Sequence, residues 1–211
     1  MGVPRTYRKS REAIASFDGF DLASGVGIKV FYAGDTENEQ VMSDVSFYSK
    51  NIFTSGKGTT TTLTKKLDVD FDIKIKNTMT INGTSIVNLP MAFTFLNGAF
   101  AGQAQFFIKL RKYSDTTETD IASNNTELIS GNNNSYYRMG AFYLDIPPTK
   151  FKKDDLLRLT VEGWAKINTL GSGDGTEIKF AHDPKNRTEG WDSEGDVPSS
   201  LIIQMPIKIQ V

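Results

Sequence analysis

From Leu67 to Lys76 the chain alternates without a break: Leu67, Val69, Phe71, Ile73 and Ile75 are separated by Asp68, Asp70, Asp72 and Lys74, with Lys76 following. Successive side chains of a strand point to opposite faces, so this stretch fits a half-buried β-strand and conflicts with a 3.6-residue period. The same period recurs along the chain. Ile28, Val30 and Tyr32 begin a strand, and Val45–Phe53 is a weaker candidate. Ala104, Phe106, Ile108 and Leu110 face away from Gln105, Phe107, Lys109 and Arg111. Leu157, Leu159 and Val161 alternate with Arg158, Thr160 and Glu162. Leu201, Ile203, Met205, Ile207 and Ile209 repeat the pattern, with Pro206 demoting part of the run to an edge or a bulge. Helical spacing never persists beyond about two turns, and the single short helical candidate is Ser10–Phe17.

Turn chemistry agrees with the strands. Asn82-Gly83, Asn97-Gly98 and Asp174-Gly175 predict type I′ hairpins, with Pro90 breaking or bulging the strand between the first two. Polar stretches at 35–40, 54–62, 114–135 and 183–200 predict loops, and the last two are long enough to be functional or mobile. About eight to ten strands joined in this way predict an all-β chain, an antiparallel two-sheet sandwich of jelly-roll type. Residues 28–211 are expected to form one such domain, preceded by an extended basic arm over 1–27. A chain of 211 residues can bury a sufficient core without a disulfide or metal staple.

Composition removes most chemistry. With no cysteine there is no thiolate nucleophile, disulfide or sulfur-ligated metal, and a single histidine, His182, rules out a multi-histidine site. The net charge of −1 gives no global pull towards nucleic acid or acidic lipid. No apolar run is long enough to span a membrane, and the basic N-terminus lacks the apolar core of a signal peptide. His182, followed by Asp183 and Pro184, has no G-x-S-x-G elbow to serve, so it reads as a surface or capping residue. Asp68, Asp70 and Asp72 share a strand face, but they alternate with buried positions and are expected to be solvated rather than paired for glycoside cleavage. Asp174, Glu177, Asp192, Glu194 and Asp196 offer hard oxygen ligands without a calcium-loop ladder, and a turn followed by a polar loop is the simpler reading. Gly56-Lys57-Gly58-Thr59 misses the spacing of a phosphate-binding loop. The expectation is no cofactor, no metal and no enzymatic activity.

Two features point to binding. Arg5, Tyr7, Arg8, Lys9 and Arg11 form an arm whose basic side chains are unbalanced by acids, in a chain with no basic excess elsewhere. This predicts docking on protein rather than on nucleic acid. Trp191 lies in a polar loop and Tyr136-Tyr137 follow an asparagine cluster. These aromatics could stack on a sugar, anchor a protein interface, or fold back onto the sheet.

The arm leads into Ala15-Ser16-Phe17-Asp18-Gly19-Phe20-Asp21-Leu22-Ala23-Ser24-Gly25-Val26-Gly27, then Ile28–Ala33 and Ser46-Phe47-Tyr48-Ser49. Later come Ile146-Pro147-Pro148-Thr149-Lys150-Phe151 and Leu201-Ile202-Ile203-Gln204-Met205-Pro206-Ile207. As a whole the chain resembles jelly-roll-like virion structural proteins of tailed phages and environmental viruses, those that decorate or complete a capsid. The resemblance implies a non-enzymatic structural subunit located in the virion. It also implies a homo-oligomer, or a subunit bound to capsid or other virion proteins, with no specific nucleic acid, no membrane and no carried-over site residues. The alternative is a carbohydrate- or host-receptor-binding β-sandwich module using Trp191 and the 114–135 and 183–200 loops.

Overall fold

The computed structural model describes residues 26–95, 102–131, 134–168, 175–191 and 197–209. These residues form strands and connections with no helix among them. The strands are β1 (Val26–Asp35), β2 (Gln40–Ser43), β3 (Phe53–Gly58), β4 (Thr64–Lys74), β5 (Met79–Phe95) and β6 (Gly102–Ser114). They continue as β7 (Thr117–Asn125), β8 (Ile129–Gly131), β9 (Asn134–Phe151), β10 (Leu156–Ile167), β11 (Thr176–Ala181) and β12 (Leu201–Ile209). The all-β class stands, but the arrangement differs from two separate antiparallel sheets. Twelve strands join in one sheet of order β3-β11-β5-β12-β1-β2-β4-β10-β6-β7, with β8 on β6 and β9 on β5. All pairings are antiparallel except the β2–β4 contact, a single parallel bridge between Val41 and Asp72.

The sheet curls so that strands distant in this order face one another across the core. Phe71 of β4 meets Phe180 of β11 edge-on at 6.3 Å, and Phe106 of β6 meets Phe93 of β5 at 5.4 Å. Edge-to-face pairs of this kind add about 0.5–1.5 kcal/mol beyond area burial. Gly163 of β10 makes the approach possible: a Cβ there would lie 2.5 Å from Cδ1 of Ile178 on β11. The alternation at Leu67–Ile75 is seen as expected, with Leu67, Phe71 and Ile75 buried.

Several expected turns are absorbed into strands. Asn82-Gly83 is no hairpin but a bulge inside β5, where Gly83 adopts φ +112° and the register with β9 shifts between Ile81 and Gly83. Opposite Asn82, β9 carries the extra residue, and Pro147 and Pro148 fall in that gap, where a missing N–H breaks no ladder bond. Pro90 does not end β5 either. It lies where the neighbour of β5 changes from β12, last paired at Asn88, to β11, first paired at Met91. Pro206 sits in a bulge, as expected, since the β12–β5 register shifts between Gln204 and Ile207. The polar stretch 54–62 contains most of β3, and 114–135 contains β7 and β8, reached through Asp115 and Thr116 at positive φ. Val45–Phe53 is irregular up to Phe53. Asn97-Gly98, Asp174 and the helical candidate at 10–17 lie outside the described residues.

Candidate functional site

His182, expected at the surface, is fully buried just beyond the end of β11. Its ring packs between Phe71 and Phe180 at 5.5 and 5.4 Å, and its backbone N–H donates to Ile52 O at 2.9 Å. Thr54 of β3 is directly opposite Phe180 in the β3–β11 register, so His182, two residues beyond Phe180, is its diagonal neighbour on the same face. That geometry places Thr54 Oγ1 2.9 Å from Nε2 of His182.

On the other side of the ring stands Asp35, the last residue of β1. Its Oδ1 lies 3.8 Å from His182 Nδ1, and these two atoms are buried without a hydrogen bond. The carboxylate is held by its other oxygen, which accepts from Asn51 Nδ2 at 2.8 Å, while its backbone N–H donates to Ser49 Oγ at 2.9 Å. A lone pair on Nδ1 would face a negative charge, whereas a proton there points towards it. The Nδ1–H tautomer is therefore favoured, so Nε2 accepts and the Thr54 hydroxyl donates. Burial lowers the His182 pKa, and the opposing pull of Asp35 does not restore it. The result is a neutral imidazole aimed at a half-buried hydroxyl with a carboxylate behind it, the order of groups that polarises a hydroxyl for attack. Thr54 was hidden from sequence reasoning because it lies in a polar, threonine-rich stretch 128 residues from its partner.

Next to this line the described residues of the expected loop, 183–191 and 197–200, are irregular but tightly tied. Asp183 is buried and accepts from the backbone N–H groups of Ser49 and Arg187 at 3.3 and 2.8 Å. It also accepts from Arg187 Nε at 2.9 Å, and the same guanidinium donates to Ser49 O. Burial opposes the charge on Asp183, but the hydrogen bonds from Arg187 outweigh it and hold the carboxyl below the usual carboxylate range. Asn186, at φ +56°, accepts from Ser199 N–H at 2.7 Å and closes the loop.

The other residues singled out from sequence fall as follows. Trp191 is 1% exposed, so of its three readings the structure shows the fold-back. It packs against Phe53 and Tyr137 at 6.1 and 5.5 Å, and its Nε1–H donates to Val197 O. Tyr136 packs on Phe95, with Arg138 over its ring. Asp70 and Asp72 are not free in solvent: Arg158 of β10 binds Asp72 through two bonds of 2.8 and 2.7 Å, and Thr160 donates to Asp70. Asp68 is paired with Lys65. Glu177 pairs with Lys179, while Asp174, Asp192, Glu194 and Asp196 lie outside the described residues. No group of three or more potential metal ligands occurs among the described residues. Gly56-Lys57-Gly58 is part of β3, where Gly58 packs against the Ala165 backbone. The arm residues Arg5, Tyr7, Arg8, Lys9 and Arg11 are outside the described residues.

No family model matches the chain, and no curated protein matches it in sequence. Solved structures share its fold. A CocE/NonD family hydrolase from Staphylococcus aureus superposes with TM-score 0.51 at 11% identity, over 88% of this chain and 37% of the hydrolase. An α-amino acid ester hydrolase gives 0.55 at 9% identity, covering 85% and 36%. An aminopeptidase from a marine sediment Thaumarchaeota archaeon gives 0.55 at 6%, covering 85% and 37%. The chain thus spans little more than a third of the length of these proteins. Likeness to the VP2 capsid protein of infectious bursal disease virus reaches a TM-score of only 0.27 and carries no argument. The fold is one found in hydrolases. This corrects the expected non-enzymatic virion role, together with its glycan- or receptor-binding alternative, for which the buried Trp191 offers no platform.

Proposed function

We propose that this chain acts as a hydrolase on an ester or amide carbonyl, with Thr54 as the attacking hydroxyl. The observation that carries the reading is the 2.9 Å contact between Thr54 Oγ1 and Nε2 of a buried, neutral His182 backed by Asp35. The kinship in fold with hydrolases supports it. In this chemistry Oγ1 bonds to the carbonyl carbon as its proton passes to Nε2. The imidazolium so formed is stabilised by Asp35 and returns the proton to the departing alcohol or amine. Water then bonds to the acyl carbon as its proton passes to the same nitrogen, and that proton moves on to Oγ1 of Thr54 as the C–Oγ1 bond breaks and the acid leaves.

The test is turnover of chromogenic acetyl esters and aminoacyl anilides by the full chain. Thr54→Ala should lower kcat/KM by roughly 10²–10⁴, and Thr54→Ser should keep most of it. Rates should fall on acidification only as pH drops through a His182 pKa below the ordinary value of about 6.5. Equal turnover by the wild type and a folded Thr54→Ala variant would remove Thr54 from the reaction.

A second reading is favoured by the coverage of little more than a third of each hydrolase. In it the curled sheet, read as a jelly-roll sandwich, is the β-domain that stands beside a catalytic unit located outside it. A folded chain with no turnover of its own would favour this reading over the first.

A further inference from the structure

Asn82-Gly83 is a turn signal that sits in a strand instead of a turn, and among the described residues Asn82 is the one asparagine followed by glycine. It lies where β5 loses its register with both neighbours. On one side β9 pairs Thr149 with Ile81 and Ile146 with Gly83, which leaves Asn82 opposite Pro147 and Pro148 without a register partner. On the other side β12 pairs Ile207 with Ile81 and next Gln204 with Ile86, so residues 82–85 have no partner there. Asn82, Gly83 and Thr84 are exposed, while Ile81 and Ser85 on either side of them are buried. Thr84 donates to Asp145 and Ser85 to Gln204 O, each at 2.8 Å. The Asn82 carboxamide has no such tie among the described residues. Gly83 stands at φ +112°, with Pro206 no nearer than ordinary contact to the place a Cβ would take.

We infer that Asn82 is a site of spontaneous covalent modification, at which the folded chain converts its own asparagine to isoaspartate and aspartate. The main-chain nitrogen of Gly83 bonds to Cγ of Asn82, and its proton is carried through water to Nδ2. The Cγ–Nδ2 bond breaks and ammonia leaves, closing a five-membered imide. Glycine permits the approach, because no Cβ crowds its nitrogen. Water then adds to one imide carbonyl and the C–N bond to that carbonyl breaks. Opening at Cγ leaves aspartate. Opening at the main-chain carbonyl leaves isoaspartate, whose backbone runs on through Cβ and Cγ. A strand laddered on both sides would hold Asn82 away from the ring geometry, and the paired register shifts remove that restraint. The same bulge is where the product fits. Isoaspartate lengthens the main chain by one carbon, about 1.5 Å. It does so on the strand that is short by one residue, about 3.4 Å, opposite the surplus residue of β9. The pairs on either side can therefore keep their register. The inference uses none of Thr54, His182 or Asp35 and is independent of the hydrolase reading.

Ageing the folded full chain in warm, mildly alkaline buffer tests it, beside a second sample held unfolded in guanidinium. Mass spectrometry of digests follows the peptide that holds residues 82 and 83. An endoprotease that cuts before aspartate but not before isoaspartate separates the two products. The Asn82 form should be lost from the folded chain at a rate comparable to that in the unfolded one, with exchange of NH for O at that residue and isoaspartate among the products. Circular dichroism and the urea midpoint should not change as it converts, and an Asn97→Gln chain run in parallel keeps the other Asn-Gly pair out of that comparison. A folded chain that keeps Asn82 while the unfolded chain loses it would overturn the inference, since β5 would then be holding the main chain out of reach. Conversion that abolishes the native spectrum of the Asn97→Gln chain would overturn the fit of the product to the bulge.

Discussion

His182 is held neutral by its apolar setting between Phe71 and Phe180, and this makes stability depend on pH in a definite direction. Its folded pKa lies below the unfolded value of about 6.5. As pH falls through that value the unfolded chain gains a proton that the folded chain resists, so stability is full above it and declines below it. Asp183, whose carboxyl is held low by Arg187 against the cost of burial, contributes stability that is lost only at lower pH, below the ordinary carboxylate value of about 3.9. Urea midpoints between pH 7.5 and 5 should therefore fall for the wild type and stay nearly level for His182→Gln. An equal decline in both would place the titration elsewhere. The same residue shows why the site is hard to read from sequence. A lone histidine before Asp-Pro carries no local sign of burial, and nothing near it names Thr54 or Asp35. Only the β3–β11 register, set by pairing over 128 positions, brings the hydroxyl to the ring.

Elements with one wet and one dry face are legible, and those without are not. β4 alternates because Leu67 and Phe71 enter the core while Asp68 and Asp72 pair outside. β7 reads Thr-Glu-Thr-Asp-Ile-Ala-Ser-Asn-Asn, and as the last strand of the sheet order it is held by its ladder to β6 with little side-chain burial. Thr54 fell in a supposed loop for a similar reason, since β3 is the edge at the other end and carries glycines and a lysine. β9 is obscured by Pro147-Pro148, which the bulge opposite Asn82 accommodates. Residues 183–191 and 197–200 are a case where loop character is legible and the ties that hold the loop are not. Trp191 pins it, so Trp191→Ala should cost about 3–5 kcal/mol by cavity formation. Hydrogen exchange at 186–191 should rise more than in β5. A loss below about 1 kcal/mol would show that the Asp183 hydrogen bonds alone secure the loop.

On the outward side of β4, β10, β6 and β7 the charges pair across the strands: Asp72 with Arg158, Arg158 with Glu118, Glu118 with Arg111 and Arg111 with Asp120. Arg158 sits at the centre of the charged side, bound to Asp72, Asp70 and Glu118. Arg158→Gln should lower stability by about 1–3 kcal/mol at low salt, and by less at 1 M salt, where the Debye length is about 3 Å. Guanidine-free thermal or urea unfolding at two ionic strengths reads this directly. A loss independent of salt would mean that Arg158 acts by packing its stem.

The position of β12 has a consequence for how this protein is made. It lies between β5 and β1, so the middle of the sheet is filled by residues 201–209. At ordinary translation rates these follow Phe95 by roughly 5–20 s. Through that interval a nascent chain presents two unpaired strand edges, on β1 and on β5, each an invitation to wrong partners. Closure is therefore a late event that waits for the synthesis of β12, and cellular yield should depend on holdase chaperones that shield those edges until β12 has left the ribosome.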